Sequence, residues 1–203
     1  MKNVLVINFK SPPFHGIGGR RWSKISKALI RKSINVHVIR ASWMDGIVPE
    51  AFCNGESISI DIQHPIHDPT SWIKKINDKK EFWRRRLKSD YTFFDEGAYS
   101  IEALKKAIRK LIIEQKIDWI FVSCPPYSWT YETVKLVKEE YGHVRVWVDL
   151  RDPWLTANNW GIPGLSPKQR LAEELRHAYV GNMADIISSP AKEILQEFRN
   201  SNH

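Results

Sequence analysis

Cysteine is scarce in this chain, with only Cys53 and Cys124 among 203 residues. One falls in a loop and the other at the end of a strand, so no disulfide framework staples the fold and the composition fits a reducing compartment. Long apolar runs are also missing. None approaches the roughly 20 residues that cross a bilayer, and Met1-Lys2-Asn3 leads into a strand rather than a signal peptide. The expectation is a cytoplasmic protein. Internal repeats, linkers and low-complexity segments are absent as well, and acidic residues are short in the first half. Residues 1–100 hold 17 Lys+Arg against 10 Asp+Glu, a net of +7, and the remainder holds 14 against 13, so almost all of the total +8 lies in the first half.

What is present points to a globular domain: 42% hydrophobic residues and nine Trp in a length suited to one sizeable domain. A chain of this size buries roughly 70% of its unfolded surface. The first 32 residues organise the rest. Asn3-Val4-Leu5-Val6-Ile7-Asn8-Phe9 is an apolar, β-branched run of the kind covered on both faces at the centre of a parallel sheet. A loop with Pro12-Pro13 and Gly16-Ile17-Gly18-Gly19 follows, where proline fixes φ and Gly18-Gly19 allows φ > 0 and close approach of another molecule. Arg20 and Arg21 then open a helix beside its unpaired N–H groups, a place for an anion. Trp22, Ile25, Ser26, Leu29 and Ile30 recur at helical spacing.

Further along, Asn35–Arg40 reads as a second strand, and Ile58–Ile62 alternates as a short edge strand. From about 63 to 99 the pattern is helical but broken by Pro65, Pro69 and Gly97, and it is rich in aromatics, as in an insertion over the rim of a sheet. Regular alternation then returns: helix from Ser100 to about Gln115, strand Trp119–Ser123, helix from about Ser128 to Glu140, strand Val144–Asp149. Ser166-Pro167 supplies the N-cap and N1 of a helix to about Val180; Ala184–Ser189 is a last strand, and a helix runs from Pro190 to about Phe198. This alternation predicts an α/β fold, a Rossmann-like parallel sheet with helices on both faces. Ligands in such sheets bind where strands end, so Lys10–Gly19, Ser123–Tyr127, Asp149–Asn159 and Ser188–Pro190 form the expected floor of a site.

The basic excess concentrates at Lys74-Lys75, Lys79-Lys80 and Trp83-Arg84-Arg85-Arg86-Leu87-Lys88. Interleaved with Trp72, Ile76 and Phe82, this stretch reads either as an amphipathic surface for anionic lipid or as a solvated helix face. No nucleic-acid-binding signature accompanies it, and no nucleic acid partner is expected.

A dinucleotide-binding reading is weak. Gly16-Ile17-Gly18 opens G-x-G-x-x-G, but Arg21 stands at the third glycine and about six residues separate the strand from Gly16, although Arg40 could select a 2′-phosphate. Four separate stretches match something else. Val4–Phe9 with Pro12-Pro13 and Gly18-Gly19-Arg20-Arg21-Trp22 comes first, then Ser123-Cys124-Pro125-Pro126, Asp149-Leu150-Arg151-Asp152-Pro153-Trp154 and Ala184-Asp185-Ile186-Ile187-Ser188-Ser189-Pro190. In order and spacing they resemble the first domain of retaining, family-4-type glycosyltransferases of the GT-B fold, over most of the chain apart from 43–99.

The resemblance implies one half of a GT-B fold: a single acceptor-side domain over 1–203, with the donor domain lying outside this sequence. It implies a hexosyltransferase of polysaccharide biosynthesis, inactive as this chain alone, whose whole enzyme moves a sugar from a nucleotide-sugar co-substrate to a glycan or lipid-linked acceptor. The setting would be cytoplasmic, at the inner face of the membrane. Gly18, Gly19 and Arg20 would meet the donor diphosphate. His15, Arg21, Ser123, Pro125, Tyr127, Asp149, Arg151, Asp152 and Trp154 would border the acceptor, and Lys79, Lys80, Trp83, Arg84, Arg85 and Arg86 would form the membrane or anion surface. Many relatives carry a His near the Ser-Pro-Pro turn; here Ser123-Cys124-Pro125-Pro126 has none, so no catalytic residue is assigned. No metal or other cofactor is expected.

Blander roles remain open for several of these. Asp149 or Asp152 equally caps its loop and pairs with Arg151, and Trp154 and Trp160 equally serve as loop core. Glu132 and Glu140 mimic the family's Glu-x7-Glu, but that pair belongs to the second domain, and solvated helix positions are the expectation here. His64 and His67 have a metal-like spacing that Pro65 and the absence of a Cys cluster discount. The alternative function is a stand-alone, non-catalytic module that binds an anionic glycan or membrane surface or partners a separate donor subunit.

Overall fold

A computed structural model of the chain describes residues 2–11, 17–42, 52–61, 95–156 and 165–200. In chain order the elements are β1 (Asn3–Asn8), α1 (Ile17–Arg31), β2 (Asn35–Ser42), β3 (Ser57–Asp61), α2 (Ile101–Gln115), β4 (Trp119–Cys124), α3 (Tyr127–Glu140), β5 (Arg145–Leu150), α4 (Pro167–Met183), β6 (Ile186–Ser188) and α5 (Lys192–Asn200). A short 3₁₀ turn, Glu96–Ser100, precedes α2.

All six strands are parallel, in the order β3-β2-β1-β4-β5-β6. This is a Rossmann-like α/β sheet whose order reverses between β1 and β4, which leaves a crevice beyond their carboxyl ends. The central strands are apolar on both sides because both sides are covered. Val4 and Val6 pack with Trp22 of α1, Val36, Val38 and Phe121 on one face, whereas Leu5, Ile7 and Phe9 join the core formed with α2 and α3 on the other. The edge strand β3 keeps the period-two pattern, with Ile60 buried between exposed Ser59 and Asp61.

Helix spacing does the rest. On α2, Leu104, Ala107, Ile108, Leu111 and Ile112 are buried at i, i+3, i+4, i+7 and i+8, and the helix stops at Lys116 in the left-handed region. The start of α4 is a complete capping box: Gln169 N donates to Ser166 Oγ, Gln169 Oε1 accepts from Ser166 N, and Pro167 sits at the first position.

Two local expectations change. Ser100 does not cap α2; its hydroxyl donates to Gly97 O at 3.1 Å and accepts from Trp129 Nε1 at 3.0 Å, because α3 packs over it. The stretch expected as an insertion over 63–99 lies outside the described residues except for its end, and that end is docked in the core. Asp95 is buried and accepts from Gly97 N at 3.1 Å, from Ser128 N at 2.8 Å and from the Ser128 hydroxyl. Pro126, at the N-cap of α3, has no side-chain cap to offer, so a carboxylate from 33 residues earlier in the chain serves the orphan N–H instead.

Candidate functional site

The register of β1, β4, β5 and β6 aligns Asn8 with Ser123, Ser123 with Asp149, and Asp149 with Ser188. Side chains alternate along strands, so this row faces the same side as Val6, Phe121 and Trp147, which is the side α1 covers. It lies at the carboxyl edge and spans the switch point. Asn8, Ser123 and Asp149 are 1%, 2% and 1% exposed.

Helix α1 closes over this row. Arg21 Nη2 donates to Asp149 Oδ1 at 2.9 Å, Ser188 Oγ donates to the same oxygen at 2.8 Å, and Trp147 Nε1 donates to Ser188 Oγ at 2.8 Å. Beside these bonds lie buried polar atoms with no partner among the described residues: both amide atoms of Asn8, Ser123 Oγ, Asp149 Oδ2 and Arg21 Nε. Trp22 Nε1 and Ser26 Oγ on α1 are in the same condition. Buried polar groups are ordinarily bonded, and leaving one unmade costs about 1–3 kcal/mol. Here they concentrate at the sheet's carboxyl edge, beneath α1.

The glycines expected in a loop are helical. α1 begins at Ile17, so Gly18, Gly19 and Arg20 occupy its first turn and no positive φ is used there. Gly19 is buried and Arg20 exposed. The N–H groups of a first turn have no intrahelical partner and carry the positive end of the helix dipole, so an anion still finds donors here, presented by helix geometry rather than by a glycine loop.

Several acceptor candidates sit elsewhere than expected. Trp154 is fully buried, its ring 4.9 Å from that of Tyr127 and its Nε1 donating to Glu173 Oε2 at 3.0 Å. Tyr127 is equally buried and donates to Pro153 O at 2.7 Å. Trp154 is loop core and Tyr127 is core at the start of α3, and neither offers a face to a sugar. Arg151 does not pair with Asp149. Its Nη2 donates to Pro125 O at 3.1 Å and its backbone N to Cys124 O at 3.0 Å, which ties the loop after β5 to the buried turn after β4. Asp152 is half-buried in that loop. The structure therefore brings Arg21, Ser123 and Asp149 together with Asn8 and Ser188, and leaves Tyr127 and Trp154 on the opposite face of the sheet.

That opposite face holds a buried titratable cluster. Burial raises Asp95 to about 6 against the pull of its hydrogen bonds from Ser128 and Gly97. Burial also raises Glu173, despite Arg176 and the Trp154 indole beside it, and lowers His177 to about 4. Cys124 is fully buried and pushed far above the ordinary thiol range by burial, so it stays a thiol and is no nucleophile.

His15, the basic residues Lys79, Lys80, Trp83, Arg84, Arg85 and Arg86, and His64, His67 and Trp160 lie outside the described residues. Glu132 and Glu140 are helix-surface ion pairs, with Lys105 at 2.6 Å and with Arg109 at 2.6 and 2.8 Å. Among the described residues no group of three or more His, Cys, Asp and Glu could hold a metal ion, and no helix is long and apolar enough to cross a membrane. Asn8 was not among the residues singled out from the sequence. Its one signal was a carboxamide ending an otherwise apolar central strand, which burial makes costly.

No protein-family model matches the chain, and no curated protein matches it. Among solved structures it is similar to a short-chain dehydrogenase/reductase from Burkholderia vietnamiensis, at 10% identity over 96% of this chain and 86% of that one, with a TM-score of 0.39. It is similar also to an O-ureido-L-serine synthase, at 11% identity over 93% and 57% with a TM-score of 0.31. A hydrogen sulfide-producing enzyme from Fusobacterium nucleatum matches at 14% identity over 99% and 66%, with a TM-score of 0.29.

Proposed function

We propose that this chain is the acceptor-side domain of a retaining glycosyltransferase of GT-B type, whose whole enzyme moves a sugar from a nucleotide sugar to a glycan or lipid-linked acceptor. One observation supports the reading above others. Sequence stretches far apart in the chain, each carrying part of the family resemblance, meet at one edge of the sheet: the first turn of α1, Ser123, Asp149 and Ser188. A shared fold alone would not require polar residues from four elements to converge there.

In this reading the sheet edge holds the acceptor, and the first turn of α1 faces the donor diphosphate with its free N–H groups and Arg20. Stabilising the negative charge on the departing diphosphate lowers the barrier to breaking the sugar–phosphate bond. Asp149, itself held by the Ser188 hydroxyl, holds Arg21 in place. The basic stretch that contains Arg84, Arg85 and Arg86 would rest the enzyme on an anionic membrane that carries the acceptor.

The test is transfer. The native gene product, incubated with radiolabelled nucleotide sugars and a membrane extract containing glycan and lipid-linked acceptors, is expected to give labelled product with retained anomeric configuration. Arg21→Gln and Asp149→Asn should reduce transfer more than tenfold. Glycan binding without transfer from any nucleotide sugar would replace the enzyme by a binding module.

A further inference from the structure

We infer that the α1-side face of β4, β5 and β6 is a docking surface for an acidic amphipathic helix of another protein, which would lie on the sheet beside α1.

The two faces of these strands are unlike. Toward α2, α3 and α4, Ile120, Val122, Val146 and Val148 are fully covered. On the other side Trp119 and Trp147 are half-buried, Arg145 is exposed, and Ile186 is 40% exposed. The register sets Trp119 beside Arg145 and Trp147 beside Ile186, so the four form one surface toward the amino edge of the sheet. Parallel sheets are covered on both faces. Among the described residues α1 is the only helix in the core on this side, and it reaches Phe121 through Trp22, with 5.7 Å between the ring centroids.

The shape of the surface fits a helix. Neighbouring strands stand about 4.8 Å apart and packed helices about 8–10 Å apart, so the width of β5 and β6 takes one helix alongside α1. A flat bilayer would be held off, because α1 stands about 10 Å above the sheet. Trp and Arg are the side chains that anchor protein interfaces. Here they are ordered in advance, with Arg145 5.7 Å over the Trp119 ring and Trp147 edge-on to Phe121 at 5.3 Å.

Charge selects the partner. α1 carries Arg20, Arg21, Lys24, Lys27 and Arg31 and no acidic residue. Arg21 turns toward β5, Ile25 shares that flank one turn later, and Lys24 and Arg31 border it outward. Arg145 adds a cation from the sheet. The carboxylates near this edge are engaged, Asp118 with Asn3 N at 3.0 Å and Asp185 with Lys138 Nζ at 2.6 Å. An apolar floor with a positive rim complements a helix that has an apolar stripe and acidic flanks. A second copy of this chain would set two positive rims against each other, and the basic stretch containing Arg84, Arg85 and Arg86 has the wrong sign to fill the surface.

Fluorescence anisotropy tests this, with the native gene product titrated into a fluorescein-labelled peptide of about 18 residues, long enough to run the length of the six-residue β5. The peptide carries leucine on one helical face and glutamate on the other. Saturable binding is expected, with no binding of the counterpart in which lysine replaces glutamate. Ile186→Glu should weaken the affinity about tenfold or more with the thermal midpoint unchanged. If that variant does not fold, Arg145→Glu serves, with the same expectation. No saturable binding, equal binding of the lysine peptide, or an affinity unchanged in a folded variant overturns the inference. So does self-association of the gene product, or binding to anionic vesicles, that Ile186→Glu abolishes, since a second copy or a lipid surface would then be the occupant.

Discussion

Arg21 and Asp149, 128 residues apart in sequence, form an ion pair of 2.9 Å between the N-terminal part of α1 and the carboxyl end of β5. The carboxylate is buried and shares its bonded oxygen with Ser188, whereas the guanidinium remains in contact with solvent. The pair thus clasps the helix to the sheet across the switch point.

Removing only the cation leaves a buried charge with one hydrogen bond, and breaking a buried pair in this way costs about 3–5 kcal/mol. Partial exposure of Arg21 reduces this, so Arg21→Ala is expected to cost about 2–3 kcal/mol by urea unfolding. Adding Asp149→Ala to that variant should recover part of the loss. A double mutant less stable than Arg21→Ala would contradict a paired buried charge.

Asp95 sets a pH dependence. Its carboxyl is raised to about 6 in the folded chain by burial and sits near 3.9 when unfolded, so the folded state holds the proton more tightly. The sign follows: the stabilisation is complete below about pH 4 and is lost as pH rises through about 6, on the order of 2–3 kcal/mol in all. Glu173 acts in the same direction, whereas the lowered Asp185 acts oppositely. The difference between wild type and Asp95→Asn isolates the effect. Unfolding free energies from pH 4 to 7 should show wild type losing ground to the variant across that window, and a constant difference would refute the assignment.

Gly97 and Gly142 should differ in their tolerance of alanine. A Cβ at Gly97 would stand 2.5 Å from Ser128 Oγ and 2.7 Å from Trp129 Cδ1, both fully buried at the start of α3. Overpacking of this kind costs about 1–3 kcal/mol. At Gly142 nothing lies within 4 Å, so Gly142→Ala should leave the thermal midpoint within a degree or two of wild type.

For the basic stretch, replacing Arg84, Arg85 and Arg86 by Ser should weaken co-sedimentation with vesicles rich in anionic lipid, by about 1 kcal/mol per charge near the surface. If the unaltered chain does not bind such vesicles, the membrane role is wrong.

What could be read from the chain alone was whatever a short window determines. The alternation in Ser57–Asp61, the spacing of Leu104, Ile108 and Leu111, and Ser166-Pro167 ahead of α4 are each set by neighbours within a turn or a pleat, and the structure reproduces them. The strand ends were likewise legible, since an apolar run bounded by polar and turn residues shows where a strand stops. Only the tertiary structure decided that Gly18 and Gly19 are helical, that Asp95 caps a helix begun 32 residues later, and that Trp154 packs on Tyr127 rather than facing solvent. It also decided that Asn8, Ser123 and Asp149 are neighbours. Strand order is set by which hydrophobic faces pack together over the whole chain, and no local pattern encodes it, so a carboxamide at the end of one apolar strand acquires its partners only when the sheet forms.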